Sequence, residues 1–151
     1  MADRLTPLQR SALMAKIKSK DTGPEMRVRR VAHALGYRFR LHRKDLPGRP
    51  DLVFPRLRKA IMVHGCFWHR HPGCKQASEP KSRVDFWQAK FLRNMARDAD
   101  ALMALEILGW DVLVVWECET EGVLGRELEE RVRRFLGAVP HSSGAEAGQE
   151  S

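Results

Sequence analysis

Between His64 and Cys74 the chain places three histidines, two cysteines, one phenylalanine and one tryptophan within eleven residues. Thiolate and imidazole bind zinc, imidazole also exchanges protons near neutral pH, and Phe or Trp can wedge between bases. The spacing Cys66-x4-His71-x2-Cys74 supplies three ligands, and Cys118 can complete a closed tetrahedral site of the structural kind. His69 offers the same chemistry as His71, so spacing alone leaves open which of the two ligates. Three cysteines do not all pair, and buried small hydrophobes are the plain alternative, best suited to Cys118 taken alone.

Asp51 is the second feature. It follows Pro50 at the start of one predicted strand, while a neighbouring strand ends at Val63-His64. A carboxylate there suits a divalent cation, although capping of the turn explains it equally well. Phe67 and Trp68 lie between metal-type residues in an irregular segment, so exposure is expected of them. Trp87 reads as readily as core.

The elements that must position these groups alternate between helix and strand. Thr6-Pro7-Leu8-Gln9 opens a helix through about Ile17, whose neighbouring Lys16, Lys18 and Lys20 can meet phosphates. Asp21-Thr22-Gly23-Pro24 starts a second helix, with Val28, Val31, Ala32 and Leu35 at helical spacing, Gly36 as its stop and Glu25 in its first turn. From Tyr37 to His42 a half-buried strand sets Tyr37, Phe39 and Leu41 against Arg38, Arg40 and His42. Pro47-Gly48-Arg49-Pro50 turns into Asp51–Phe54, and Lys59–Val63 forms the adjacent central strand. Ser82-Arg83-Val84-Asp85 can cap a long helix to about Leu108. Val112–Trp116 is a further strand, and a last helix runs from about Gly125 to Leu136. The pattern predicts an α/β or α+β fold with a mixed sheet of about four strands flanked by helices.

The 151 residues fit one domain, with the folded part at 1–136 and a disordered tail at 137–151. Residues 1–49 hold 13 Lys and Arg against four Asp and Glu, while residues 50–136 are nearly neutral, with 14 against 13. A basic third on a near-neutral body points to a polyanion, with nucleic acid ahead of a membrane surface. No apolar run approaches a bilayer span and no signal-peptide pattern opens the chain, so a cytoplasmic protein is expected.

Pro47-Gly48-Arg49-Pro50-Asp51, His64-Gly65-Cys66-Phe67-Trp68-His69, Phe86-Trp87, Asn94, Asp98 and Gly109-Trp110 through Trp116-Glu117-Cys118 fall in an order that resembles the very short patch repair (Vsr) endonucleases over residues 8–136. The resemblance implies a restriction-endonuclease-like core related to the PD-(D/E)xK nucleases, with Met62-Val63-His64 standing where an acid-x-lysine is usual. It implies Asp51 and the Val63 carbonyl as magnesium ligands, His69 as general base and His64 as a contact to the scissile phosphate. Glu25 would act through metal-bound water, and Asp98 would orient a catalytic histidine. Zinc goes to Cys66, His71, Cys74 and Cys118, which frees His69.

Phe67, Trp68 and Trp87 match the family's intercalating wedge, and Met14 the residue inserted from the other groove. The resemblance implies a Mg²⁺-dependent nick of one strand beside a T:G mismatch left by 5-methylcytosine deamination, by a monomer, with a MutL-type mismatch-repair protein as a candidate partner. A non-catalytic zinc-containing mismatch-binding module and a restriction-type endonuclease without mismatch preference are the rivals.

Overall fold

A computed structural model describes residues 22–137. The predicted N-terminal helix with Met14, Lys16, Lys18 and Lys20, and the segment after Gly137, lie outside the described residues. Helix α1 (Gly23–Ala34) begins as its sequence dictates. The Thr22 hydroxyl accepts from the Glu25 N–H at 3.3 Å, and Pro24 withholds an N–H that would have no partner in a first turn. Val28 and Ala32, one turn apart, are buried, and Gly36 at φ 94° takes the left-handed conformation that follows the helix end.

The alternation appears in the burial over 37–40, with Tyr37 and Phe39 inward of exposed Arg38 and Arg40, and breaks at 41–42, where Leu41 is exposed and His42 half-buried. The paired strand β1 (Arg40–Leu41) is nevertheless shorter than predicted. It is a sheet edge with Leu41 exposed, and His42 turns away at φ 47°. Strands β2 (Leu52–Phe54), β3 (Lys59–His64) and β4 (Asp111–Trp116) complete a mixed sheet in the order β1-β2-β3-β4. The first two pairings are antiparallel and β3–β4 is parallel.

Period-two alternation deals the side chains to two cores. Leu52, Phe54, Ile61 and Val115 pack with Val28, Ala32, Leu128, Val132 and Leu136 on the α1 side. Val53, Ala60 and Met62 pack with Leu46, Leu105 and Trp110 on the other. Coverage on both faces explains why β2 is apolar throughout.

Parallel pairing demands a crossover, supplied by the long helix α2 (Val84–Ile107). Its predicted Ser82–Asp85 cap is corrected: Arg83 occupies the cap position at φ 54° and no side chain caps the helix, so the chain enters through a left-handed residue instead. A 3-10 turn (Glu117–Thr120) follows β4, and helix α3 (Gly122–Leu136) starts three residues before the predicted Gly125. Gly125 sits inside because a β-carbon there would lie 2.8 Å from the Thr120 carbonyl, so its role is close approach rather than initiation. Among the described residues no helix is long and apolar enough to cross a membrane.

The turn before Asp51 is set by Gly48. The Arg49 N–H reaches the Leu46 carbonyl at 3.1 Å with Pro47 and Gly48 between them, and Gly48 stands at φ 74°. A β-carbon there would lie 2.7 Å from Ala101 Cβ and 2.9 Å from Met62 Cε. Gly48→Ala is expected to cost about 2 kcal/mol or more, from positive φ and overpacking together. Urea unfolding should show a lower midpoint at unchanged slope; an unaltered midpoint would mean that the turn yields.

Candidate active site and metal centre

Where the paired strands β3 and β4 end, side chains from four segments converge. His64 is the last residue of β3, opposite Trp116 of β4. The chain then coils back on itself, with His69 N–H bonded to the Gly65 carbonyl (3.1 Å) and His71 N–H to that of Cys66 (3.0 Å). That coil lays the His69 ring on His64, with centroids 4.0 Å apart and planes 4° from parallel. From α2, Asp98 Oδ2 meets His69 Nδ1 at 2.6 Å, while Asn94 donates to the Trp68 carbonyl at 3.2 Å. A carboxylate on Nδ1 fixes the tautomer and leaves Nε2 free to take a proton. Burial, with a further push from the His69 ring, holds His64 down to about 4, so it is uncharged at neutral pH. Its Nδ1 is buried without a hydrogen-bond partner among the described residues.

Asp51, the residue leading into β2, enters beside this stack. Its Oδ2 accepts the Val63 N–H at 2.7 Å, and burial raises the carboxyl to about 6, helped by neighbouring Glu25. Glu25, buried on α1, meets His42 Nε2 at 2.5 Å and Arg29 at 2.8 Å through the same oxygen. His42 Nε2 lies 3.8 Å from Asp51 Oδ1, and ligand atoms of Glu25, His42 and Asp51 all fall within 4.8 Å of one another. Two carboxylates and one imidazole at that spacing can hold a divalent cation. His42 went unrecognised as a site residue in the sequence reading; its signal was its place on the polar face of the predicted strand.

His64, His69 and Asp98 make a second group at such spacing and Cys66, His71, Cys74 and Cys118 a third, and no disulfide uses these cysteines. His71 Nδ1 is 3.6 Å from Cys66 Sγ and 3.4 Å from Cys118 Sγ. Bonds of ~2.0 Å to nitrogen and ~2.3 Å to sulfur give tetrahedral N···S edges of about 3.5 Å, so the four residues fit one ion. The fit also separates the histidines, since His71 joins the cysteines and His69 does not. Burial pushes the Cys66 thiol up to about 12, so a thiolate there needs a cation to hold it. Trp116 joins the two groups, stacked on His71 at 4.3 Å and edge-on to His64 at 5.2 Å.

The aromatics depart from expectation. Phe67 and Trp68 are half-buried rather than exposed and Trp87 is buried, because the three pack against one another and Phe91 at centroid distances of 5.1 to 5.8 Å. Arg70 holds the group down. It lies over Phe91 at 4.1 Å and donates to the carbonyls of Phe67, Ala77 and Ser78. That bridging role was invisible in a sequence already rich in arginine.

Residues 2–76 match the family model described as DNA mismatch endonuclease Vsr. Over 136 residues the chain is 54% identical to the "Type II nicking enzyme V.XorIIP" of Xanthomonas oryzae pv. oryzae, covering 90% of this chain and 98% of that protein. It is 39% identical to the "Type II nicking enzyme V.NmeAIP" of Neisseria meningitidis serogroup A, covering 92% and 100% respectively. It is 38% identical to the "DNA mismatch endonuclease Vsr" of Escherichia coli K12, covering 90% and 88%.

Two outcomes follow from this geometry. The purified chain should carry one tightly held ion at the cysteine–histidine group, and Cys118→Ala should lose it along with several kcal/mol of stability, checked by elemental analysis and urea melts. A metal-free parent with the same melt would contradict this. For Asp51, a folded carboxyl raised from 3.8 to about 6 means that the folded chain keeps a proton which the unfolded chain releases between those pH values. This group's contribution therefore falls as pH rises through that window, by roughly 3 kcal/mol at most. Without added divalent cation, Asp51→Asn should melt higher than the parent at pH 7.5 and much less so at pH 4. An equal gain at both would reject the buried-charge account.

Proposed function

The chain belongs to the Vsr family of DNA mismatch endonucleases and is a DNA-cleaving hydrolase, and we propose that it nicks one strand of duplex DNA beside a T:G mismatch, the product of 5-methylcytosine deamination, to start very short patch repair. The observation that carries this reading is His69, stacked on an uncharged His64, bonded to Asp98 and close enough to Asp51 to bias its ionisation. The mismatch preference is brought over from the relative whose name states it.

Asp51 and the Val63 carbonyl would hold Mg²⁺, with Glu25 acting through a bound water. A divalent cation there neutralises charge growing on the phosphate and makes water more acidic. His69 Nε2 takes the proton of the attacking water, and Asp98 keeps that nitrogen unprotonated beforehand and stabilises the imidazolium afterwards. His64, neutral and desolvated, donates one N–H to a phosphate oxygen.

The same reading gives the Cys66, His71, Cys74 and Cys118 group to structural Zn²⁺, in keeping with its thiolate–imidazole donors. The mixed sheet, with Asp51 leading into a central strand, supports a restriction-endonuclease-like core for a domain at 1–136, followed by a tail at 137–151. Phe67, Trp68 and Trp87 form the wedge that opens the mismatched step, with Met14 entering from the other groove. Because a mismatch stacks poorly, opening there costs less than in matched DNA. Lys16, Lys18 and Lys20 contact the backbone. A monomer acting in the cytoplasm, with a MutL-type protein as helper, completes the proposal.

The test is cleavage of a T:G duplex and its matched counterpart with Mg²⁺. The parent should nick only the mismatched duplex, and Asp51→Ala should lose at least ~10³-fold in rate. Equal cutting of both duplexes would make this a restriction-type enzyme, and tight binding without cutting a recognition module.

A further inference from the structure

We propose that His42 is a third protein ligand of the Asp51 cation site, a nitrogen donor that tips the site from Mg²⁺ toward Mn²⁺. The inference rests on the reading of Asp51 as a cation ligand and adds a residue to it. Adjacent donors around a cation with bonds of ~2.1 Å stand about 3 Å apart. His42 Nε2 stands 3.8 Å from Asp51 Oδ1, a short side-chain adjustment from that spacing, and its hydrogen bond to Glu25 Oε2 at 2.5 Å holds the ring at the site until an ion takes the nitrogen.

The three groups are held in place before any ion arrives. Val63 N–H occupies Asp51 Oδ2, which leaves Oδ1 on the His42 side. His42 N–H donates to the Asp51 carbonyl at 3.3 Å, which keeps the two residues side by side past the end of the paired strand. Glu25 is fixed by the α1 turn and by Arg29, whose guanidinium already offsets one of the two carboxylate charges. With that charge partly spent, a neutral third donor adds affinity without adding repulsion.

Imidazole favours the more polarisable first-row ions, whereas Mg²⁺ prefers oxygen donors and keeps its waters. Adding an imidazole to the oxygens of Asp51 and Val63, with Glu25 behind a bound water, therefore discriminates between ions that an all-oxygen set would treat more alike.

The experiment uses the full-length, zinc-containing chain without DNA, titrated with Mn²⁺ and observed by electron paramagnetic resonance. Bound Mn²⁺ should show coupling to an imidazole ¹⁴N. In His42→Gln that coupling should vanish, Mn²⁺ binding should weaken about tenfold, and Mg²⁺ competition should change by less than about twofold. Unchanged coupling and affinity in His42→Gln, with Asp51→Asn abolishing binding, would remove His42 from the site and leave the nuclease reading intact. Mn²⁺ bound equally well by both variants would overturn the cation site itself. Far-UV circular dichroism of each variant checks that loss of binding is not loss of fold.

Discussion

The in-register parallel pairing of β3 with β4 is the constraint on which the rest depends. Because His64 faces Trp116, the residues two places beyond each strand end are Cys66 and Cys118, and the sheet register itself brings these distant thiols together. The Cys118 N–H, bonded to Cys66 Sγ at 3.4 Å, continues the ladder's contact past its last rung. The same parallel geometry forbids a hairpin and requires a crossover. The crossover is α2, and it delivers Asp98 to His69 and Asn94 to the loop backbone. One pairing thus fixes both the metal-type group and the proton-handling group.

The two groups are electrostatically opposite to their surroundings. A basic chain buries Glu25 and half-buries Asp51, while burial at the end of β3, with the His69 ring beside it, keeps His64 uncharged. Each of these choices costs folding free energy, since desolvation disfavours the charged carboxylate and the charged imidazole alike. A site that binds a cation and a phosphate gains from both: Asp51, unlike Glu25 with its Arg29 partner, is left short of positive charge, and a neutral imidazole does not compete for it. Such an arrangement is tolerable only where the surrounding sheet is covered on both faces, as β2 and β3 are.

Much of this was legible in residues alone. Adjacent strands at 52–54 and 59–64 follow from short apolar runs bounded by Pro and Gly, and the α1 start follows from Thr22 and Pro24. The four metal-type residues were visible as a set, although separating His71 from His69 needed either a family resemblance or the stacking geometry. The failures are equally physical. A backbone that enters α2 through left-handed Arg83 leaves no signature, because residue type only weakly predicts positive φ outside Gly and Asn. The degree of exposure of Phe67 and Trp68 depends on partners at 87 and 91 that only the folded crossover supplies. His42 looked like one polar position among several until α1 brought Glu25 against it.

The late position of Cys118 has a meaning for the chain as it is made. Every group that would handle phosphate, from Glu25 to Asp98, leaves the ribosome before β4 and Cys118 do. Until β4 adds its rung, neither the register that positions His64 nor the fourth cysteine–histidine ligand exists. A nascent chain, or a fragment cut short of residue 118, carries the reactive residues without their frame.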